Sequence, residues 1–179
     1  MILRAIVLAV TATVLTAPVA DAAPAIVDQT DPTGDVNVFD GGGTKPSTGQ
    51  RKSIDLERFT VTPHAGGVRL SFGIARITGS RRYDQIVTAQ LRGRDGLLLD
   101  LLANPQGKHA SAYIGDSTIC LVDVTTSRRT NTVRVDVPSE CVPHGSGVLR
   151  VTTYTQEKNG SGPGFSEDTM RVRGTVALR

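Results

Sequence analysis

The chain has 179 residues, a formal net charge of +3 and two cysteines. That length suits one domain and builds a core without a dense disulfide framework or a structural metal. Arg81-Arg82 and Arg128-Arg129 stand as isolated basic pairs in turn-like segments without interleaved aromatics, so nucleic acid is not an expected partner.

The first residues read as a leader. Met1-Ile2-Leu3-Arg4 is a short positive start, Ala5 to Leu15 is apolar apart from two threonines, and Ala20-Asp21-Ala22 is a small-x-small cleavage site. This predicts a secretory signal peptide over residues 1–22, a single domain over 23–179, and a secreted, extracellular product. The apolar run is too short to favour a membrane span, and no second run of spanning length follows.

Ala25-Ile26-Val27 predicts a short edge strand. An acidic loop follows, with Asp31-Pro-Thr-Gly-Asp35, Asn37 and Asp40. Residues 41–53, rich in Gly, Ser, Thr and Lys, read as a flexible loop. Ile54-Asp55-Leu56 opens a strand through Phe59 and Val61, whose change of phase predicts a bulge. His64 to Gly67 turns the chain into Val68, Leu70, Phe72 and Ile74, which alternate with smaller or polar residues and form the cleanest half-buried strand. Val87 to Leu91 and Leu97 to Leu102 predict two more strands around the Arg92 to Gly96 turn, and Ser111 to Ile114 a short one.

From Cys120 to Cys141 the pattern is a hairpin. Val122 and Val124 share one phase, Val133, Val135 and Val137 another, and Ser127 to Asn131 forms the turn. Pairing around that turn brings Cys120 and Cys141 together. Two cysteines in an exported chain predict one disulfide; a catalytic thiol or a metal pair would need histidine or further cysteines at ligand spacing. Val148 to Thr155 is a further strand, 157–168 a second polar loop, and Met170 to Leu178 a closing strand. Nine or ten short strands with Gly-rich turns and no helical period predict an all-β, two-sheet antiparallel sandwich, jelly-roll or Ig-like.

Three sites stand out. Asp31, Asp35, Asp40 and Asp55, with Asp168 or Glu167 from the second loop, are candidate calcium ligands, because calcium takes six to eight oxygens in irregular geometry. The alternative is Asx-turn chemistry, in which the same side chains bond their own backbone. Tyr83, Tyr113, Tyr154 and Phe165 are candidate sugar-stacking residues, although the chain has no Trp. His64, His109 and His144 stand singly, and no nucleophile elbow, zinc motif or phosphate loop accompanies them, so no catalytic residues are assigned.

Asp31-Pro-Thr-Gly-Asp35, Ile54-Asp55-Leu56 and Gly66-Gly67-Val68-Arg69-Leu70 resemble the opening of DOMON-like and family-nine carbohydrate-binding β-sandwiches. The run from Cys120 through Asn131 to Cys141, with Val148 to Val151, resembles uncharacterised secreted bacterial proteins of that architecture. The resemblance implies a two-sheet sandwich, calcium near Asp31, Asp35 and Asp55 in some members, and sugar or haem as ligand in some branches. The missing Trp departs from the sugar-binding pattern, and no axial pair supports haem. The expectation is therefore a monomeric, secreted, non-catalytic binding module for a carbohydrate or another cell-envelope component, with Ca2+ as its one candidate cofactor. The alternative is a secreted hydrolase or enzyme inhibitor acting through loops 41–53 and 157–168.

Overall fold

The structure is a computed structural model that describes residues 25–39, 45–115, 118–158, 160 and 164–179. The expected leader, residues 1–22, and the candidate ligand Asp40 lie outside them. Twelve strands form among the described residues. They are β1 (Val27–Thr30), β2 (Asn37–Val38), β3 (Leu56–His64), β4 (Gly67–Ile74), β5 (Tyr83–Gly93) and β6 (Gly96–Ala103). The others are β7 (His109–Ile114), β8 (Thr118–Ser127), β9 (Thr132–Pro138), β10 (Ser146–Glu157), β11 (Ser166–Arg171) and β12 (Val176–Ala177). A four-residue helix, α1 (Thr48–Arg51), runs into a 3-10 turn at Lys52–Ile54.

All pairings are antiparallel, and the strands join into one curled sheet in the order β1-β3-β4-β9-β8-β7-β6-β5-β10-β11-β2, with β12 on β10. The expected β-rich, disulfide-bonded fold is present, with twelve strands in place of nine or ten. Part of the excess comes from the C-terminal segment. Val172, Val176 and Leu178 keep their core-facing phase. Gly174, at φ 76°, nevertheless turns the backbone between β11 and β12. β2 holds only two residues, too few to carry a period.

Burial follows the period-2 reading closely. β4 alternates half-buried and buried residues over its whole length. Phe59 and Phe72 are register partners with ring centroids 5.1 Å apart. They share one core with Leu91 of β5, Leu99 and Leu101 of β6 and Leu149 of β10. Burying one such side chain contributes about 1.5–3 kcal/mol. The expected bulge lies between Leu56 and Arg58.

Residues 48–54 are helical turns, which the loop-like composition of 41–53 does not signal. Ser47 starts them with a capping box: its side chain accepts from the Gln50 N–H, and its own N–H donates to Gln50 Oε1 at 3.0 Å. The β8–β9 hairpin pairs from Ser127–Thr132 down to Asp123–Asp136, and there the ladder stops. Beyond it the disulfide joins Cys120 to Cys141, with Cα atoms 6.1 Å apart. Asn131, at φ 48°, turns the hairpin. Its amide accepts from the Ile77 N–H at 3.2 Å and donates to the Ala75 carbonyl at 3.1 Å.

The curl brings two distant parts of the strand order together. Gln29 of β1 donates to the Arg171 carbonyl at 3.2 Å and accepts from the Arg173 N–H at 2.9 Å. Leu56 of β3 donates its N–H to Asp168 of β11 at 2.6 Å. Side chains bonded to backbone, rather than a strand ladder, make this seam. Among the described residues, no helix is long and apolar enough to cross a membrane.

Candidate metal centre

The seam gathers the acidic residues. Asp31 follows β1 directly, and its N–H extends the β1–β3 pairing by donating to the Glu57 carbonyl at 3.1 Å. The Asp-Pro-Thr-Gly turn then reverses the chain at Gly34, whose φ of 87° suits glycine. The Gly34 N–H donates to Asp55 Oδ2 at 2.7 Å, so the loop is clamped to the start of β3.

Asp55 is held in turn by the helical segment before it. The hydroxyl of Ser166 donates to the Arg51 carbonyl at 2.8 Å, and that of Thr153 donates to the Ile54 carbonyl. These bonds fasten residues 51–54 onto β10 and β11. The Asp55 carbonyl accepts from the Ala75 N–H at 2.8 Å. Asp168 arrives from β11 on the core-facing phase, between Ser166 and Met170, and is 2% exposed.

Asp31, Asp35 and Asp168 each offer a carboxylate oxygen within 4.8 Å of the others. Two oxygens bound to one calcium at about 2.3–2.6 Å can lie no more than about 5 Å apart, so this spacing fits a shared ion. Asp55 adds a fourth charge close enough to act on both Asp31 and Asp168. Asp31 Oδ2 and Asp55 Oδ1 are buried without a hydrogen-bond partner. An unpaired carboxylate oxygen away from water costs free energy that a proton, a cation or a hydrogen-bond donor recovers.

The titration behaviour follows from the same crowding. Burial first, and then the charges of Asp168, Asp35 and Asp55, push the Asp31 carboxyl up to about 6. Burial likewise raises Asp168, with the charges of Asp35 and Asp55 adding to it. The N–H groups of Leu56 and Thr169 pull it partly back. The donor set is all oxygen and strongly anionic, which suits a hard divalent cation and not a soft one.

Of the predicted ligands, Asp31, Asp35 and Asp168 therefore meet, Asp55 stands close enough to act on Asp31 and Asp168, and Asp40 lies outside the described residues. Glu167, the alternative to Asp168, points outward on β11 and accepts from the Thr169 hydroxyl at 3.0 Å. Asn37 is on β2, opposite Glu167 in register and exposed. Asx-turn chemistry alone does not account for a cluster assembled from three separate segments, the Asp31–Asp35 loop, the start of β3 and β11.

The candidate stacking aromatics do not form one platform. Tyr83 and Phe165 pack edge to face, with ring centroids 5.4 Å apart, and both are buried. Tyr154 is buried as well, and Tyr113 alone of the four is well exposed, at 45%. The histidines also lie apart: His64 contacts Arg69 and Asp136, His109 contacts Asp123, and His144 contacts Arg179. No family model matches the chain, and no curated protein matches it.

Proposed function

We propose that this protein is a secreted, non-catalytic β-sandwich binding module whose seam is closed by Ca2+ at Asp31, Asp35, Asp55 and Asp168, with a carbohydrate or cell-envelope component as its ligand. The observation that carries the metal reading is the pair of buried, unpartnered oxygens on Asp31 and Asp55 beside the Asp35 and Asp168 carboxylates. The disulfide supports an oxidising, extracellular setting. The shared core of β3, β4 and β9 with β5, β6 and β10 supports reading the curled sheet as two facing layers, in line with the resemblance to DOMON-like and family-nine carbohydrate-binding domains. The ion's part is structural: it offsets half of the charge of the four carboxylates and ties β1, the start of β3 and β11 together.

Calorimetry and thermal melts in Ca2+ and in EDTA test this. At a Ca2+ concentration about one hundred times Kd, the folded state gains about 2.7 kcal/mol. For a domain of this size that is a rise in Tm of roughly 5–10 °C. Mg2+ should do less, because it resists giving up its water for an irregular carboxylate cage. Identical melts in Ca2+ and EDTA would end the metal reading.

A further inference from the structure

The outward face of the sheet carries a second feature, remote from the carboxylates in chemistry. A shallow groove of about 360 Å³ is lined by Gln90, Arg92, Val148, Arg150 and Arg171. Arg150 is the register partner of both Arg171 on β11 and Gln90 on β5, and Arg92 is opposite Val148. Three exposed guanidinium groups thus share one concavity. Among the described residues, none of the three has a side-chain hydrogen bond or ion pair, whereas Arg58 and Arg69 each grip an aspartate through two bonds. Like charges placed directly opposite across two strands destabilise a sheet. The Arg150–Arg171 pair is therefore costly unless an anion occupies the groove.

The same register row continues across the face. From Gln90 it passes to Asp100 on β6, Tyr113 on β7 and Ile119 on β8. Tyr113 and Ile119 are 45% and 64% exposed. Flanking the arginine end of this row lies a row of hydroxyls, Thr169, Thr152 and Thr88. The face runs from guanidinium through amide and carboxylate to an exposed aromatic ring, crossing strands about 4.8 Å apart.

We propose that this face binds an acidic polysaccharide laid across the strands, its carboxylate or sulfate groups held by Arg92, Arg150 and Arg171 and an uncharged portion of a sugar resting on Tyr113. Guanidinium forks match carboxylate and sulfate oxygens bidentately. Gln90, Asp100 and the threonines meet sugar hydroxyls, and Asp100 can only accept from them. A nucleic acid suits the row less well: a single exposed tyrosine gives no succession of stacking platforms. The inference deepens the binding-module reading and rests on it, but uses none of the metal ligands.

The test is binding of the full secreted domain, in Ca2+, to polygalacturonate, dextran sulfate, neutral dextran and single-stranded DNA. Polygalacturonate or dextran sulfate should bind, more weakly as ionic strength rises, and the preferred one identifies carboxylate or sulfate. The double variant Arg150→Gln/Arg171→Gln should weaken that binding about 10- to 100-fold, the loss expected for charge-assisted hydrogen bonds. Its Tm should hold or rise, because a repulsive pair is gone; a purely structural role would lower it. Tyr113→Ala should weaken binding several-fold with Tm unchanged. Equal binding of neutral dextran, DNA bound as tightly as the glycans, or glycan affinity unmoved in the double variant would each overturn the proposal. Failure of both acidic glycans alongside a Ca2+-dependent melt would remove the glycan face and leave the metal centre standing.

Discussion

The cysteine hairpin and the carboxylate seam answer the same structural problem in opposite ways. In each, a strand ladder ends and the chain must still be held. Past Asp123 and Asp136 the hairpin is held by a covalent bond between Cys120 and Cys141. Where β1 and β3 approach β11, the junction consists of hydrogen bonds to Gln29 and Asp168 and of four carboxylates that repel one another. The hairpin junction needs nothing from the solvent once oxidised. The seam is only as strong as the charge that neutralises it. With the proposed Ca2+ at the seam, the chain carries one junction insensitive to pH and ion concentration and one sensitive to both.

Removing the covalent junction should produce the largest change. The double variant Cys120→Ser/Cys141→Ser opens a loop of 21 residues in sequence. The chain-entropy argument gives about 3 kcal/mol for a loop of this order, or roughly 6–12 °C in Tm. The loss should be the same in Ca2+ and in EDTA, since the two junctions share no residue. A loss that depends on Ca2+ would show that the hairpin and the seam are coupled.

Asp168→Asn sharpens the contrast because its sign should invert. The amide keeps the shape and an oxygen to accept the Leu56 N–H, but removes one of the mutually repelling charges. In EDTA the variant should melt at or above the parent. In saturating Ca2+ it should melt below it, losing most of the roughly 2–3 kcal/mol that the ion supplies. Differential scanning calorimetry in the two buffers reads both signs. A variant that is less stable by the same amount in each would mean that Asp168 serves only to cap the Leu56 N–H.

Much of this was legible in the sequence for a physical reason. The hairpin announces itself because alternating valines, a polar turn and two cysteines are local signals that agree. The bulge before Phe59 was legible because Leu56 and Phe59 cannot share one phase. Asp31, Asp35 and Asp55 stood out as acidic residues in turn-like surroundings. The signal that favours Asp168 over Glu167 was present as well. Ser166, Asp168 and Met170 share a phase, and a carboxylate on the phase of a buried methionine is core-facing. The helical turns at 48–54 were hidden because their stability comes from the Ser47–Gln50 cap and from hydroxyls of Thr153 and Ser166, remote in sequence. The arginine groove was invisible for the same reason: Arg92, Arg150 and Arg171 meet only through the pairing of β5, β10 and β11. Isolated in sequence, each reads as an ordinary outward residue.

The smallest predicted effect separates the two junctions most cleanly, because it depends on a sign. Without metal, the Asp31 carboxyl of the folded protein titrates at about 6, well above the ordinary aspartate value near 3.9 that the unfolded chain keeps. At pH 5 the folded state holds a proton there that the unfolded state has released. At pH 7 both have lost it, and the folded state bears the cost of a buried charge and of its neighbours' repulsion. This group therefore makes the metal-free fold more stable as pH falls from 7 to 5. Asp28 and Asp136, which Arg58 and Arg69 hold below the usual carboxylate range, contribute the opposite slope only below about pH 4, outside this window. With Ca2+ bound, the ion favours the ionised carboxylate, the folded value drops below the unfolded one, and protons compete with the ion. Tm in Ca2+ should then fall, or at least fail to rise, over the same interval. Comparing the parent with Asp31→Asn at pH 5 and pH 7 cancels the titrations common to both. The parent should gain on the variant toward pH 5 in EDTA and lose to it in Ca2+. Parallel pH profiles in EDTA would mean that neither burial nor its neighbours' charge raises the Asp31 carboxyl, and the electrostatic account of the seam would fail with it.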